Sequence, residues 1–273
     1  MRLSLATEPA HHHRPNEDFV GVASDAVVLL DGAGIPAGME SGCSHGVAWY
    51  ARTLGSTLLT TVTQSAAPLA ELLAESIKAV ASLHDFTCDL SHAGSPSATV
   101  AMLRRSGGGL EWLVLADSVI VLDTGTAEPT VVCDDRLERI GARHRAEVDG
   151  LRSGSAEHAE ALRRYIGIMR GHRNRDGGFW VASVDPLAAE HALTGSLPSD
   201  QVRAAALLSD GASRLVDLFG LATWRQLLDL LEESGPEGLI SRVREAEHGD
   251  PDGSRWPRGK ALDDATAALW RFS

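Results

Sequence analysis

Apolar positions along the chain fall into short runs first and longer helical patterns afterwards. The runs FVGVA (19–23) and AVVLL (26–30) predict two strands joined by a turn at Ser24-Asp25, and residues 2–7 predict a short edge strand. In 67–85, Leu69, Leu73, Ile77 and Val80 recur at helical spacing and give one apolar face, and Ala67-Pro68 suits a helix start. The preceding segment 45–63 also reads as a helix. Three β-branched stretches follow, SATVAMLRR (97–105), LEWLVLADSVIVLDT (110–124) and PTVVC (129–133). Their alternation predicts an antiparallel meander, with Gly107-Gly108-Gly109 as a tight connection. A helix over 155–170, a polar loop over 171–178 and strands FWVAS (179–183) and VRAAALLSDG (202–211) come next. Helices at 212–219, 223–234 and 236–247 follow, the second with a capping box from Thr223 and Gln226. A Gly/Pro-rich polar loop, 249–260, leads into the last strand, ATAALWRF (265–272).

Strands and helices are grouped, which excludes a doubly wound alternation. The grouping predicts an α+β fold with two antiparallel sheets and helices packed outside them. No repeat or interdomain linker interrupts the chain, so residues 1–273 are expected to form one domain.

Composition narrows the function classes. The 273 residues carry a formal net charge of −12 and no long Lys/Arg run, which argues against nucleic acid or an anionic membrane as a partner. The N-terminus lacks a signal-peptide core, and no window of about 18 apolar residues exists to span a bilayer. Cys43, Cys88 and Cys133 are odd in number and form no CxxC pair, pointing to a reducing cytoplasm. The triplet His11-His12-His13 reads as a solvated loop.

The chemistry candidates are acids at strand ends: Asp18 in NED, Asp31 in VVLLDGAG, Asp117 in LVLADSV, Asp210 in ALLSDGAS, and Asp263 and Asp264 in ALDDAT. Each alone is an ordinary turn residue. Together they invite a shared site, where carboxylates repel one another unless cations intervene. Oxygen-only ligands select Mg²⁺ or Mn²⁺ over zinc, and no HExxH or Cys/His set competes in the sequence.

The order NED, DGAG, SATV, ADS, SDG, DDAT, running from about Asn16 to Arg271, resembles the metal-dependent phosphatases of the protein phosphatase 2C family, bacterial type. The resemblance implies a four-layer αββα sandwich. It implies that Asp31 bridges two metal ions, that the Gly32 carbonyl binds the second, and that Asp210 and Asp263 complete the direct carboxylates. Glu17 and Asp18 match acids that contact the metals directly or through water, and Asp117 is a further candidate. The reaction implied is hydrolysis of a phosphomonoester by a water activated between two ions, about 3.5–4 Å apart in such sites.

Three positions depart from the family pattern. Where the family has a phosphate-gripping Arg, this chain has His13, with Arg14 one residue later. The histidine after the DG pair in eukaryotic members is Ala33 here. An Asp that helps hold a third metal is replaced by Arg214, which is therefore a candidate partner for the nearby acids or for substrate phosphate. Two loops could rim the site: 249–260, with Arg255, Arg258 and Lys260, and 171–178, with His172, Arg173 and Arg175.

The expected activity is that of a Mg²⁺/Mn²⁺-dependent serine/threonine protein phosphatase. A phosphatase of phosphorylated small molecules and a catalytically weak binding relative are the alternatives. The sequence sets no oligomeric state.

Overall fold

The computed structural model describes residues 2–36 and 38–272. Ten strands make two five-stranded, wholly antiparallel sheets. The first has the order β2-β3-β4-β5-β8, from Phe19–Val22, Ala26–Gly32, Ala98–Ser106, Gly109–Leu115 and Leu193–Pro198. The second has the order β1-β10-β9-β6-β7, from Arg2–Glu8, Ala265–Arg271, Ala204–Leu208, Val119–Asp123 and Thr130–Val132.

Central strands with no polar alternation must be covered on both faces. In β3, Val27 and Leu29 point between the sheets, where they meet Ile120, Leu207 and Trp270 of the second sheet. Val28 and Leu30 point the other way, onto Tyr50, Leu54 and Leu58 of α1 (Val47–Gln64) and Leu73 and Ile77 of α2 (Leu69–His84). In β9, Ala205 and Leu207 face the first sheet. Ala206 and Leu208 face Leu215 of α6 (Asp210–Asp217) and Leu227, Leu231, Leu239 and Val243 of α7 (Trp224–Gly249). Helix, sheet, sheet and helix thus form the expected four layers.

The capping box is present: Gln226 N donates to Thr223 Oγ1 at 3.2 Å, and Thr223 N donates to Gln226 Oε1 at 2.8 Å. The two helices expected on either side of residue 235 run as one element with a break at Gly235, φ 74°, just before Pro236.

Locally the structure departs from the sequence reading in two places and adds elements in two others. Asp117 does lie between two strands, as LVLADSV suggests, but β5 belongs to one sheet and β6 to the other, so the chain crosses between sheets at Ala116-Asp117-Ser118, with Ala116 at φ 65°. The meander over 97–133 is broken there. FWVAS is no ladder strand; it is held by an isolated bridge from Ala182 to Ala98 and by Asn174, whose amide bonds Val181 N and O at 2.8 and 3.1 Å. The polar stretch Leu193–Pro198 pairs along β5, and Gly195 lies flat beneath Trp112, where a Cβ would stand 2.2 Å from the indole. Residues Arg136–Gly141 and Ala146–Asp149 form short helices, α3 and α4, that precede α5 (Ala156–His172).

Candidate active site at the strand ends

Antiparallel register gathers the acids. Phe19 pairs with Leu30, which brings Asp18 and Asp31 to one end of the first sheet. Asp31 pairs with Thr99, and Val100 with Leu115, so the crossing at Asp117 emerges at that same end. In the second sheet, Leu208 pairs with both Val119 and Ala267, which aligns Asp117, Asp210 and the Asp263-Asp264 pair. The two sheets then place these ends beside each other. Asp210 N donates to Asp31 Oδ2 at 3.3 Å across the gap.

The floor is tight. A Cβ on Gly32 would stand 2.5 Å from the Glu17 carbonyl oxygen and 2.6 Å from Val47 Cγ1, so only glycine fits between β3 and the NED segment. Asp264 fixes that segment: its Oδ1 accepts from Ala10 N and its Oδ2 from Glu17 N, both at 2.7 Å.

Burial and mutual repulsion then shift the carboxyls. Asp18 is 6% exposed, and burial followed by the charges of Asp210 and Asp263 pushes its pKa up to about 7. The Thr266 hydroxyl opposes that shift, yet neither Asp18 oxygen has a hydrogen-bond partner of acceptable geometry. Thr266 Oγ1 is engaged by Thr7 Oγ1 at 2.7 Å. Asp31 is raised well above the usual range by burial, Asp210 and Asp18. Asp117 is raised to about 7 by burial and Asp210, and Asp217, on the same side, to about 6 by burial first. Buried carboxylates that lack donors and repel one another are the donor set of a hard divalent cation. On the Asp18–Asp31–Asp210 side the residues fit such an ion.

Asp263 is in a different state. Lys260 Nζ donates to its Oδ1 at 2.7 Å and Arg214 Nη2 to its Oδ2 at 2.5 Å. These cations outweigh its burial and hold its pKa below the usual carboxylate value. The Lys260 side chain is about half exposed, whereas Arg214 is buried and also donates to Glu247 Oε1 at 2.7 Å. The expectation that Arg214 grips substrate phosphate is therefore corrected: its guanidinium is committed to two buried carboxylates. The loop 249–260 does reach the site, through Lys260. Over the DGAG turn, a Cβ on Gly34 would stand 2.7 Å from Glu17 Oε2 and 3.5 Å from Lys260 Nζ. Burial raises the Glu17 pKa, and the charges of Lys260 and Arg14 pull it down.

Arg14 and His13 are both exposed, and His13 stacks on His11 at 5.5 Å in a groove shared with Arg244 and His248. Arg14 is thus the one whose charge bears on Glu17. The other loop, 171–178, points Arg173 at Ser95 O, Ser97 Oγ and Ala93 O, so it braces the segment before β4. Sequence reasoning missed Glu247, which sits in α7 as one more helical glutamate. It is 1% exposed, between Arg214 and Arg244.

The chain belongs to the protein phosphatase 2C family, whose model matches residues 7–242. No curated protein matches the sequence. Among solved structures, the serine/threonine phosphatase Stp1 from Staphylococcus aureus is similar at a TM-score of 0.59 and 13% identity, over 99% of this chain and 94% of that one. The catalytic domain of the serine/threonine protein phosphatase PstP, in complex with two manganese ions, is similar at 0.56 and 15% identity, over 98% and 96%. The phosphatase MsPP from Mycobacterium smegmatis, in complex with cacodylate, gives 0.57 and 14%, over 100% and 99%.

One expectation about donors is overturned. Outside the acid site, Cys43, His45, His84 and Cys88 converge so that one ligating atom from each lies within 4.8 Å of the others.

Proposed function

We propose that this chain is a metal-dependent phosphomonoester hydrolase acting on phosphoserine and phosphothreonine in proteins, folded as one domain over residues 1–273 and working in the cytoplasm. Among the described residues no helix is long and apolar enough to cross a membrane. The observation that carries the reading is the buried, unpartnered Asp18 carboxylate beside Asp31 and Asp210, in a chain of this family. Asp31, the Gly32 carbonyl, Asp210 and Asp18 would hold Mn²⁺ or Mg²⁺, with Glu17 and Asp117 at the margins. Divalent ions bound there supply an activated water and neutralise phosphoryl oxygens.

The protein's own groups do the rest. Lys260 and Arg14, both exposed and both acting on Glu17, are placed to draw a phosphate dianion to the acid-lined cleft. Asp263 stays ionised and anchors the Lys260 ammonium, which Asp263, Asp210 and Asp31 hold protonated against its desolvation. Arg214 fixes the other Asp263 oxygen and ties the cleft floor to α7 through Glu247. A second ion at Asp263 requires the half-exposed Lys260 to swing into water, a motion that buried Arg214 cannot make. Ala33, in the position after the DG pair, offers no proton donor there.

Hydrolysis of a phosphothreonine peptide and of p-nitrophenyl phosphate, each with Mn²⁺, Mg²⁺ or EDTA, tests the reading. Turnover of both that disappears in EDTA is the expected result. Turnover of the small ester alone would remove the protein-substrate assignment, and turnover unaffected by EDTA would remove the metal.

A further inference from the structure

The Cys/His cluster lies where the loop after the DGAG turn meets the end of α2. Cys43 and His45 sit on a tight knuckle, Gly42 to Gly46, whose two glycines have φ of 68° and 82°, a left-handed backbone that L side chains rarely adopt. The knuckle turns both side chains to one side. His84 is the last residue of α2, and Cys88 N donates to His84 O at 3.0 Å, continuing the helical path by one turn. That i, i+4 spacing brings His84 and Cys88 to the same face. Asp89 N donates to Gly42 O at 2.8 Å and fastens the two segments together beside the cluster.

The four donors are close enough to share one ion, all within 4.8 Å of one another. Cys43 Sγ is 3.3 Å from Cys88 Sγ, 3.7 Å from His45 Nδ1 and 3.6 Å from His84 Nδ1, and Cys88 Sγ is 3.3 Å from His45 Nδ1. A zinc ion with sulfur at about 2.3 Å and nitrogen at about 2.0–2.1 Å has tetrahedral edges of roughly 3.5 Å between sulfur and nitrogen and roughly 3.8 Å between sulfurs, so the sulfur–nitrogen separations fit and the two sulfurs part slightly on binding. The His84 ring is 1% exposed; its Nδ1 faces the Cys43 thiol, and its Nε2 has no partner. Trp49 closes one wall, stacked on His45 at 4.4 Å and tilted against His84 at 5.0 Å, while His45 is exposed and leaves a way in.

From this geometry we infer that Cys43, His45, His84 and Cys88 form a structural zinc site, separate from the acid cleft. Two thiolates and two imidazoles are soft and borderline donors that select zinc over Mg²⁺ or Mn²⁺. Four protein ligands leave no open position, so the ion does no chemistry on substrate. Binding forms two Zn–S bonds, and the two thiols release two protons, leaving a neutral centre. The ion staples segment 33–46, which runs from Gly32 to α1, onto the end of α2.

The test uses the full chain, purified with reductant and dialysed against Mn²⁺ buffer. Elemental analysis is expected to give one zinc per chain. Replacement by Co²⁺ is expected to give the visible bands of a tetrahedral ion together with thiolate-to-metal charge transfer. Cys88→Ser, at a partly exposed position, and Cys43→Ser are each expected to lose the zinc, whereas Asp31→Asn keeps it. Titration of the unaltered protein with an organomercurial covers the event that either serine variant misfolds: beyond the exposed Cys133, which lies outside the cluster, two thiols should react per zinc released. Each of the following overturns the site: no zinc in the reduced protein, zinc retained in Cys88→Ser and Cys43→Ser, or a Co²⁺ spectrum without thiolate bands. Zinc-free protein lighter by two hydrogens would show a Cys43–Cys88 disulfide pair instead, and would overturn it too.

Discussion

The acid cleft and the Cys/His cluster are both polar sites where loops meet, yet they handle charge in opposite ways. The cleft gathers oxygen donors at the strand ends, where burial and the charge of Asp210 hold Asp18, Asp31 and Asp117 above their ordinary pKa values. Part of its charge is already answered by the protein, since Lys260 and Arg214 both hold Asp263. The Cys/His cluster carries no built-in counter-charge. Its four donors lie within 4.8 Å of one another and suit one borderline-soft ion. One site is half satisfied and exchangeable, as catalysis requires; the other is closed, as a staple requires.

The largest expected effect separates the two directly. Asp31→Asn should lower Mn²⁺-dependent turnover of p-nitrophenyl phosphate by roughly 10³-fold or more while leaving the fold intact, because it removes the carboxylate at the centre of the cleft. Undiminished turnover would move the metal elsewhere. EDTA should stop turnover quickly with the zinc still bound, and loss of both together in the same time would erase the contrast.

Arg214→Met should cost about 2–3 kcal/mol in denaturant unfolding, since it removes one of the two cations that hold each of the buried carboxylates Asp263 and Glu247. A cost near that of a surface ion pair would mean that Arg214 is not the clamp. Glu247 would retain Arg244, whose Nη1 donates to its Oε2 at 2.6 Å, so the variant should still fold.

Acid titration tests the cleft alone. A carboxyl whose folded pKa is raised takes up a proton on folding, so its contribution to stability falls as pH rises. For Asp18, raised from 3.8 to about 7, the ion-free protein should lose thermal stability across that window, and Asp117 should act in the same direction. Saturating Mn²⁺ should flatten the slope. An ion-free protein that gains stability between those pH values would contradict the buried, unpartnered state of Asp18.

The smallest effect expected is at Lys260. Lys260→Gln should lower the Mn²⁺ concentration for half-maximal activity by about tenfold, roughly 1.4 kcal/mol, by freeing one Asp263 oxygen. A weaker requirement for Lys260 in peptide binding than in metal binding would show which of its two contacts matters more, and an unchanged Mn²⁺ requirement would show that it does not compete.

Much of this was legible along the chain. The apolar runs that fix β3, β4, β9 and β10 are largely buried on both faces, so their composition declares them, and the Asp residues near their ends are conspicuous against those runs. Edge and connecting structure was less legible. Leu193–Pro198 pairs along β5 without an apolar pattern, because an edge strand is held by backbone bonds and needs little burial. The break at Asp117 was legible, but the change of sheet there was not, because the strands on either side are both apolar and buried.

Sequence by itself determined the order of the layers' elements and the acids that the strands carry to their ends, since each depends on residue type and short-range period. Tertiary structure decided which charges meet. Arg214 and Lys260 converge on one carboxylate from a helix and a loop, and Cys43 and Cys88 meet across 45 residues. No local pattern encodes these pairings, because they are set by how two sheets and their outer helices pack. The spacings Cys-x-His and His-x-x-x-Cys become a binding signal only when the α1 and α2 segments lie side by side.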